Sequence, residues 1–585
     1  MTINRNHHYR KSDNTNIKQL NHFFYTMKKI FSFALAAVAV LAASSCSKLD
    51  PLTSENFTCD PSPLVEVGGS VDATITVTYP EKYFKKKATV DVTPVLVYAN
   101  GEAKSETLNF QGEKVKGNDE TVSYKYGGTL TFKAHFDYVP DMAKSELYIE
   151  YVGHIGKKEF TFERIKIADG VIATETLATA AEATPAYSAD QFVKDTFDKY
   201  FATLIYQYQS TNLRNSETSK AEVKDVQNII KSTKDEERRE FQGIEMVSTA
   251  SPEGAVSLNE RLAAGREKAS SAYLQNFLKK AKLEGEISPE QISEDWNGFK
   301  ELVESSNIQD KQLVLNVLGR IGDPDQREAE IKKLSAAYKE LADEILPQLR
   351  YSKITATVKN IGHSDEEILG LLSSNPDSLT LEELLYAANL QTVEEEKLKT
   401  YRIATNRFPE DFRAANNAAG ILFNQGKFDE AKKTWEAIVA KDANNAQANL
   451  NLGLIALNNG DLAAAETFLG KAGSCEEYGE AYGTLLVRQG KYAQAIKAFG
   501  DKKCNNLAVA QICSNKYSDA KATLEAIEKK NATTYYLLAV VAARTNNASA
   551  VESNLKEAVK LNADLKAQAA NDAEFAKYAS VVSAL

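Results

Sequence analysis

A helical sequence period near the C-terminus is the feature that most restricts the folds open to this chain. Four positions that hold small or bulky apolar residues recur at an interval of 34 residues. The first copy is Ala419, Gly426, Ala431 and Trp435, and the second is Gly453, Gly460, Ala465 and Leu469. A partial copy follows 30 residues later, with Gly483, Gly490 and Ala495. Small residues at fixed positions let paired helices approach closely, and Pro409 ends a helix before the next turn. The period therefore predicts a series of paired helices.

This pattern resembles the tetratricopeptide repeat. The resemblance covers residues 364–585, implies an all-α solenoid of about five helical hairpins with an irregular last one, and implies a groove that binds a protein partner. Four asparagines on first helices are candidates to bind the backbone of that partner: Asn416, Asn417, Asn449 and Asn451. The alternative is that these asparagines face solvent.

A strand-to-helix junction lies in the middle of the chain. Residues 241–249 are apolar and compatible with a strand, and Pro252 and Gly254 supply a turn. The residues that follow recur at helical spacing. Asn259 and Arg266 are seven residues apart, so they project near one face of that helix. A guanidinium at such a position is suited to a carboxylate ligand.

The junction resembles the OmpA-like peptidoglycan-binding domain. Counted from Ser251, the residues at the family's motif positions are Gly254, Asn259, Leu262, Arg266, Tyr273 and Leu274. The resemblance implies that Arg266 holds a carboxylate of diaminopimelate, whose ammonium the family binds with an Asp. Ser251 stands at that Asp position, and Glu253 is the candidate to reach the ammonium instead. The alternative is that Arg266 pairs with a helix neighbour or extends along the surface.

The central α/β domain is expected to span residues 189–363. It begins with a strand at 201–208 and a helix at 223–230, and it ends with a strand at 350–359. A helical insertion at about 284–348 separates the last two elements. We expect it either to cap the site or dock a partner, or to pack on the sheet as a neutral insertion.

The N-terminal part of the mature chain has the two-residue period of strands. Alternating runs between turn clusters predict an antiparallel β-sandwich over residues 64–172, in the role of a spacer or adhesion module. Residues 173–188 are rich in Ala and Thr and are expected to be a linker.

The first residues have the sequence features of an export signal. Residues 1–26 precede a better start and are expected to be a mis-called leader, and residues 27–45 have the charge and apolar run of a signal peptide. Small residues before Cys46 resemble a bacterial lipobox, which implies lipidation of Cys46, a tether over residues 46–63 and a periplasm-facing outer-membrane anchor. The alternative is an ordinary cleaved signal with a chance cysteine.

Composition excludes several functions. A net charge of −10 argues against a nucleic-acid partner, and the five cysteines form no paired metal motif, so no metal or other cofactor is expected. The sequence contains neither a nucleophile motif nor a phosphate-binding motif that would indicate an enzyme. The module order resembles envelope lipoproteins of Bacteroidetes-type bacteria. It implies a multidomain, non-catalytic scaffold that contacts peptidoglycan and a protein partner. The alternatives are a surface-exposed assembly or fimbria-related factor that binds no cell wall and, ranked lower, an enzyme acting on envelope glycans.

Overall fold

The computed structural model describes residues 49–585, except for the side chains of residues 335–337. The expected leader, signal peptide and lipidated Cys46 lie outside these residues. Between residues 49 and 585, no helix is long and apolar enough to cross a membrane. The chain forms two compact units. The first contains the described residues up to Thr184, together with Ala456–Glu466 and Tyr478–Leu585. The second contains Pro185–Ile455 and Thr467–Glu477.

The first unit contains the predicted β-rich region. Its strands are β1 Phe57–Asp60, β2 Glu66–Val67, β3 Ser70–Tyr79, β4 Ala88–Tyr98, β5 Gly101–Lys104, β6 Leu108–Gly112, β7 Glu120–Val122, β8 Gly128–Asp137, β9 Ser145–Ile155, β10 Lys158–Thr161 and β11 Ile165–Asp169. They form a four-stranded and a seven-stranded sheet. Alternate residues of β3 are buried, from Val71 to Tyr79, and they join residues of the other sheet in one hydrophobic core. The pair β6–β7 is parallel, so the larger sheet is mixed and not wholly antiparallel as expected.

The second unit contains a four-stranded sheet in the order β12-β15-β13-β14. Its strands are β12 Asp195–Ile205, β13 Arg239–Thr249, β14 Glu286–Ile292 and β15 Tyr351–Ile361. Only β13 and β14 are parallel. The helices α1 Asn215–Thr218, α2 Ala221–Ser232 and α3 Val256–Ala281 accompany the sheet. Residues of α2 and α3 share a core with alternate residues of β12, β13 and β15, so one face of the sheet is covered.

The first strand of this sheet begins earlier than the predicted 201–208. Its ladder with β15 starts at Asp195 and continues to Ile205. The segment 195–200 contains two aspartates and a lysine, and pairing with β15 extends the strand through these polar residues.

The expected helical insertion begins with a strand. Glu286–Ile292 pairs with β13 along its whole length, which the sequence does not indicate because it has no alternation and contains Pro289. A proline is tolerated there because β14 is an edge strand. The rest is helical: α4 Trp296–Ser305, α5 Lys311–Arg320, α6 Pro324–Lys333, α7 Ser335–Glu340, a π-helical turn Leu341–Ile345 and a 3-10 turn Leu346–Leu349. These elements have a small core of their own.

Helices fill the chain after β15. They are α8 Asp365–Ser374, α9 Leu381–Leu390, α10 Glu394–Arg407, α11 Phe412–Asn424, α12 Phe428–Lys441, α13 Ala446–Asn458, α14 Leu462–Leu469, α15 Tyr478–Arg488, α16 Tyr492–Phe499, α17 Asn505–Cys513, α18 Tyr517–Glu525, α19 Ala532–Arg544, α20 Ala548–Leu561, α21 Leu565–Asn571 and α22 Ala579–Ser583. The paired helices include α9–α10, α11–α12, α15–α16, α17–α18 and α19–α20.

The glycines of the 34-residue period have a structural reason. Gly426, Gly460 and Gly490 join the two helices of a pair with φ values of 74°, 75° and 69°. An L-residue rarely adopts such backbone angles, so glycine is favoured there. The small residues Ala431, Ala465 and Ala495 are fully buried at helix contacts, as the period predicts.

Candidate functional site

The predicted asparagines of the second unit bind the backbone of residues 185–191, here called the groove segment. Asn417 accepts a hydrogen bond from the Ser188 N–H at 2.7 Å and donates to the Ser188 carbonyl at 2.8 Å. Asn451 makes the same two-way contact with Ala186, at 2.7 and 3.0 Å. Each side-chain amide therefore bonds the backbone as a neighbouring β-strand would, at alternate residues of an extended segment.

Asn416 orients this arrangement. Its Nδ2 donates to the Ala186 carbonyl at 2.9 Å, while its Oδ1 accepts from Trp435 Nε1 and from Asn451 Nδ2, both at 3.1 Å. Asn416, Asn417 and Asn451 are all at most 2% exposed. The network has donors and acceptors matched, so the amides are held in one orientation.

Asn449 does not take part. Its Nδ2 donates to the carbonyls of Ala443 and Asn445, at 3.2 and 2.7 Å, so it bonds the backbone just before its own helix. Residues two positions apart on a helix point in different directions, which separates Asn449 from Asn451. Three of the four predicted asparagines therefore bind an extended backbone, and none of the four faces solvent.

Tyr187 fixes the register of the groove segment. Its ring lies against Gly420, where an added Cβ would come within 2.8 Å of the ring, and its hydroxyl accepts from Asn424 Nδ2 at 3.1 Å. Burial raises the pKa of the Tyr187 hydroxyl above its ordinary value. A cavity of about 380 Å³ lies beside Tyr187 and Ser188, lined also by Tyr401. The groove therefore keeps unoccupied space next to its occupant.

The first unit repeats the same contact. Asn506 accepts from the Thr179 N–H at 3.2 Å and donates to the Thr179 carbonyl at 2.9 Å. Sequence reasoning missed Asn506, although the pair Asn505-Asn506 repeats the pair Asn416-Asn417. The expected linker over 173–188 is thus bound by asparagines in both units.

A charged contact lies near Thr179 in the same unit. Glu175 is fully buried and accepts from the Gly68 N–H at 3.1 and 3.0 Å and from the Tyr492 hydroxyl. Burial, and then the neighbouring Glu66 carboxyl, raise the pKa of Glu175 to about 7.

The residues of the strand-to-helix junction form a second polar site, in the second unit. Arg266 is 1% exposed and donates to three main-chain carbonyls: Thr249 at 2.7 Å, Ser210 at 3.1 Å and Gln207 at 3.4 Å. Its guanidinium lies 5.3 Å from the centre of the Tyr206 ring. Burial lowers the pKa of Arg266 to about 10. Arg266 neither extends along the surface nor pairs with a helix neighbour, so both parts of the alternative interpretation are wrong.

The other three motif residues lie together around the turn. Glu253 forms an ion pair with Arg350 at 2.6 Å and accepts from Ser251 Oγ at 2.5 Å. Asn259 donates to Glu294 at 2.8 Å.

The insertion supplies part of this site. Glu294 precedes its first helix, and Glu328 on α6 accepts from the Gly254 N–H. Neither residue has a sequence signal for this role, because each is distant along the chain from the turn it contacts. Peptidoglycan binding by Ser251, Glu253, Asn259 and Arg266 stays a prediction.

Among residues 49–585, no group of three or more His, Cys, Asp or Glu side chains could hold a metal ion.

Comparison with known proteins identifies the repeats. A family model described as tetratricopeptide repeat matches residues 418–472. The C-terminal region therefore contains tetratricopeptide repeats, as the period predicts. No curated protein matches the chain.

Solved structures that match are repeat proteins of low identity. A tetratricopeptide repeat protein from Parabacteroides merdae is 15% identical, with 37% of this chain and 91% of that chain covered and a TM-score of 0.28. YrrB, a repeat protein with an unusual peptide-binding site, is 18% identical, with 34% and 95% covered and a TM-score of 0.20. A thermophilic repeat protein from Thermus thermophilus is 16% identical, with 37% and 99% covered and a TM-score of 0.18.

Proposed function

We propose that this chain is a non-catalytic scaffold of the bacterial cell envelope whose repeats bind an extended polypeptide of a partner protein. The observation that carries the proposal is the two-way hydrogen bonding of Ala186 and Ser188 by Asn451 and Asn417. These contacts use only main-chain groups of the bound segment. Any extended peptide with small side chains at the same positions offers the same groups.

A partner has to compete with the groove segment. The segment is covalently attached, so its effective concentration at the asparagines is on the order of millimolar or higher. A partner peptide succeeds by adding contacts that the segment does not make, for example in the cavity beside Tyr187 and Ser188.

Location at the envelope rests on the sequence. The apolar run before Cys46 supports export and lipidation, which would tether the scaffold to the outer membrane facing the periplasm. An anchor and a weak binding site together hold a partner more tightly than the site alone.

A peptide-binding experiment with the full chain tests the groove. We expect a labelled peptide of residues 183–191 to bind the variant Ala186→Pro at least about tenfold more tightly than the wild type, measured by fluorescence anisotropy. Proline at 186 removes the N–H that Asn451 accepts, so the groove segment is weakened while the peptide keeps its own N–H.

Two further variants control this result. Ala189→Pro introduces proline at an exposed position, where the N–H has no acceptor within residues 49–585. This variant should bind the peptide as the wild type does. Adding Asn451→Ala to Ala186→Pro should remove the gain. Equal binding by Ala186→Pro and the wild type would refute the groove as a peptide site.

A contact with peptidoglycan through the OmpA-like site is the second candidate function. The observation in its favour is that Arg266 is a buried cation whose bonds all go to neutral carbonyls, with Arg350 as a second guanidinium nearby. A ligand carboxylate would supply the missing negative charge. Against it, Glu328 already occupies the Gly254 N–H, so the motif is covered by the chain's own insertion. The contact of the insertion with the motif supports the alternative hypothesis, an assembly factor that binds no cell wall.

Co-sedimentation with purified peptidoglycan distinguishes the two. If the insertion masks a working site, Glu328→Ala in the full chain should raise retention severalfold, because alanine cannot accept the Gly254 N–H, and free diaminopimelate should reverse the gain. Glu330→Ala is the matched control, because Glu330 lies on the same helix and pairs with Lys333 at the surface. No retention by any of the three proteins would leave a scaffold without a wall contact.

A further inference from the structure

Strand β12 lies at the edge of the central sheet. Among residues 49–585 it pairs with β15 on one side and with no strand on the other. Near its end, the N–H groups of Thr203 and Ile205 turn away from β15 and donate to Glu222 at 3.3 Å and Glu217 at 3.1 Å. Because N–H directions alternate along a strand, the odd-numbered residues before Thr203 also turn their N–H and C=O groups to the free edge. We find no partner for these groups within residues 49–585.

The same odd-numbered residues present large apolar side chains to solvent. On β12, Phe197 and Phe201 are 57% and 56% exposed, and Val193, two residues before the strand, is 64% exposed. Phe197 and Phe201 lie on the sheet face opposite α2 and α3, since the even-numbered residues Ala202 and Leu204 are buried under those helices. Proteins usually protect an unpaired edge from such exposure, so an apolar edge indicates an interaction surface.

We propose that this edge binds the same edge of a second copy of the chain, in an antiparallel pair centred on Phe197. The pairing places Phe197 opposite the Phe197 of the second copy, Asp195 opposite Lys199, and Val193 opposite Phe201. Each odd-numbered facing pair is then aromatic with aromatic, acid with base, or apolar with apolar, and the pairs formed by residues 195–199 exchange backbone hydrogen bonds. The two four-stranded sheets join into one continuous sheet.

Other registers lack this complementarity. A pair centred on Lys199 sets lysine against lysine, and it requires the N–H of Thr203, which Glu222 already accepts. A pair centred on residue 198 sets Phe197 against Lys199 and Asp195 against Phe201. Register is fixed when only one alignment satisfies the side chains of a face.

The charged groups around the edge are compatible with the pair. Asp195 lies 2.9 Å from Lys359, and Lys199 lies 3.7 Å from Glu245, both on the same sheet. The second copy would add Lys199 beside Asp195, so charges of opposite sign alternate across the joined edge.

Disulfide cross-linking of the full chain tests the register. The axis through Phe197 predicts that Phe197→Cys cross-links to itself under mild oxidation, because facing Cα atoms are about 5.5 Å apart. Lys199→Cys is the matched control on the same face. Its counterpart in the second copy lies about 13 Å away along the strand, so it should not cross-link beyond the wild-type level.

A charge exchange tests the same interface without new cysteines. Lys199→Asp opposes two aspartates, and we expect its dimer dissociation constant, from sedimentation equilibrium of the full chain, to rise at least about tenfold. Adding Asp195→Lys restores the pair and should return the constant to near the wild-type value. A merely misfolded Lys199→Asp variant would not be rescued in this way. A wild-type chain that stays monomeric at all concentrations, or a dimer that neither variant changes, would overturn the proposal.

Discussion

The repeat groove and the junction site around Arg266 both bury polar side chains against the chain's own backbone, but they do so with different chemistry. Asparagine both donates and accepts, so Asn417 and Asn451 satisfy the N–H and C=O of one bound residue and are satisfied by them. Arginine only donates. Arg266 therefore satisfies three carbonyls but retains a charge that none of them neutralises, and its pKa falls to about 10.

The difference shows which site is exchangeable. A neutral amide pair can release one extended segment and bind another at little electrostatic cost. Arg266 holds the loop at residues 207–210 to the end of strand β13 and forms no ion pair with a carboxylate within residues 49–585, so disturbing it disturbs the fold around it. The groove is suited to binding, while Arg266 in the present conformation stabilises the central domain.

The largest expected effect is at Arg266. Arg266→Ala removes a hydrogen-bond donor from each of three carbonyls and opens a cavity, and we expect a loss of about 3–5 kcal/mol in the free energy of unfolding of the central domain. Denaturant unfolding of the full chain measures it. Arg261→Ala on the same helix is the control, because Arg261 is exposed and should change stability by less than about 0.5 kcal/mol. A loss as small as that of the control would show that Arg266 is not a structural residue.

A smaller effect is expected at the asparagines. Asn416→Ala leaves the Trp435 indole N–H and the Ala186 carbonyl short of a partner, at a cost of about 2–3 kcal/mol. Asn449→Ala removes only a local helix contact and should cost about 1 kcal/mol. Hydrogen exchange separates the two, since only Asn416→Ala should speed exchange at Ala186 and Ser188. Equal exchange in both variants would contradict the division between Asn416 and Asn449.

The smallest expected effect is a pH dependence of stability around Glu175. The folded-state pKa of Glu175, about 7, lies above its ordinary value of 4.5, and burial also raises the pKa of Glu66. Protonated carboxyls are therefore favoured in the folded state, and this contribution to stability is complete below about pH 4.5 and is lost as pH rises through about 7.

Hydrogen exchange near Thr179 measures this loss. We expect exchange there to accelerate, after correction for intrinsic rates, between pH 5 and 8, while the neutral contacts at Ala186 and Ser188 keep their protection. Glu175→Gln should remove the pH dependence near Thr179. A pH dependence that survives this substitution would assign it to another group.

Sequence predicted the elements with strong periodicity. The repeat glycines and the long helix after Gly254 follow from local spacing, and they lie where the spacing places them. Strand β14 was missed because its pairing with β13, and not its own pattern, makes it a strand. The early start of β12 was missed for the same reason.

Sequence predicted that four asparagines bind the backbone of a partner. In the structure Asn416, Asn417 and Asn451 bond residues 186 and 188 of the chain itself, and binding of a partner stays a prediction. The occupant lies more than two hundred residues away along the chain, and its Ala-rich composition indicates only a linker. Likewise the motif around Arg266 could be read from spacing, whereas Glu328 and Arg350 reach it only through the tertiary fold.

The contact between Tyr187 and Gly420 has a consequence for how this sequence can change over time. Asn417 and Asn451 bond main-chain atoms, so the residues at 186 and 188 are free to be exchanged for other small residues without loss of those bonds. Gly420 leaves room for the Tyr187 ring, whereas a methyl group at position 420 would clash with that ring. Among related chains we therefore expect position 187 to change together with position 420, while the asparagines stay constant beside a segment whose composition drifts.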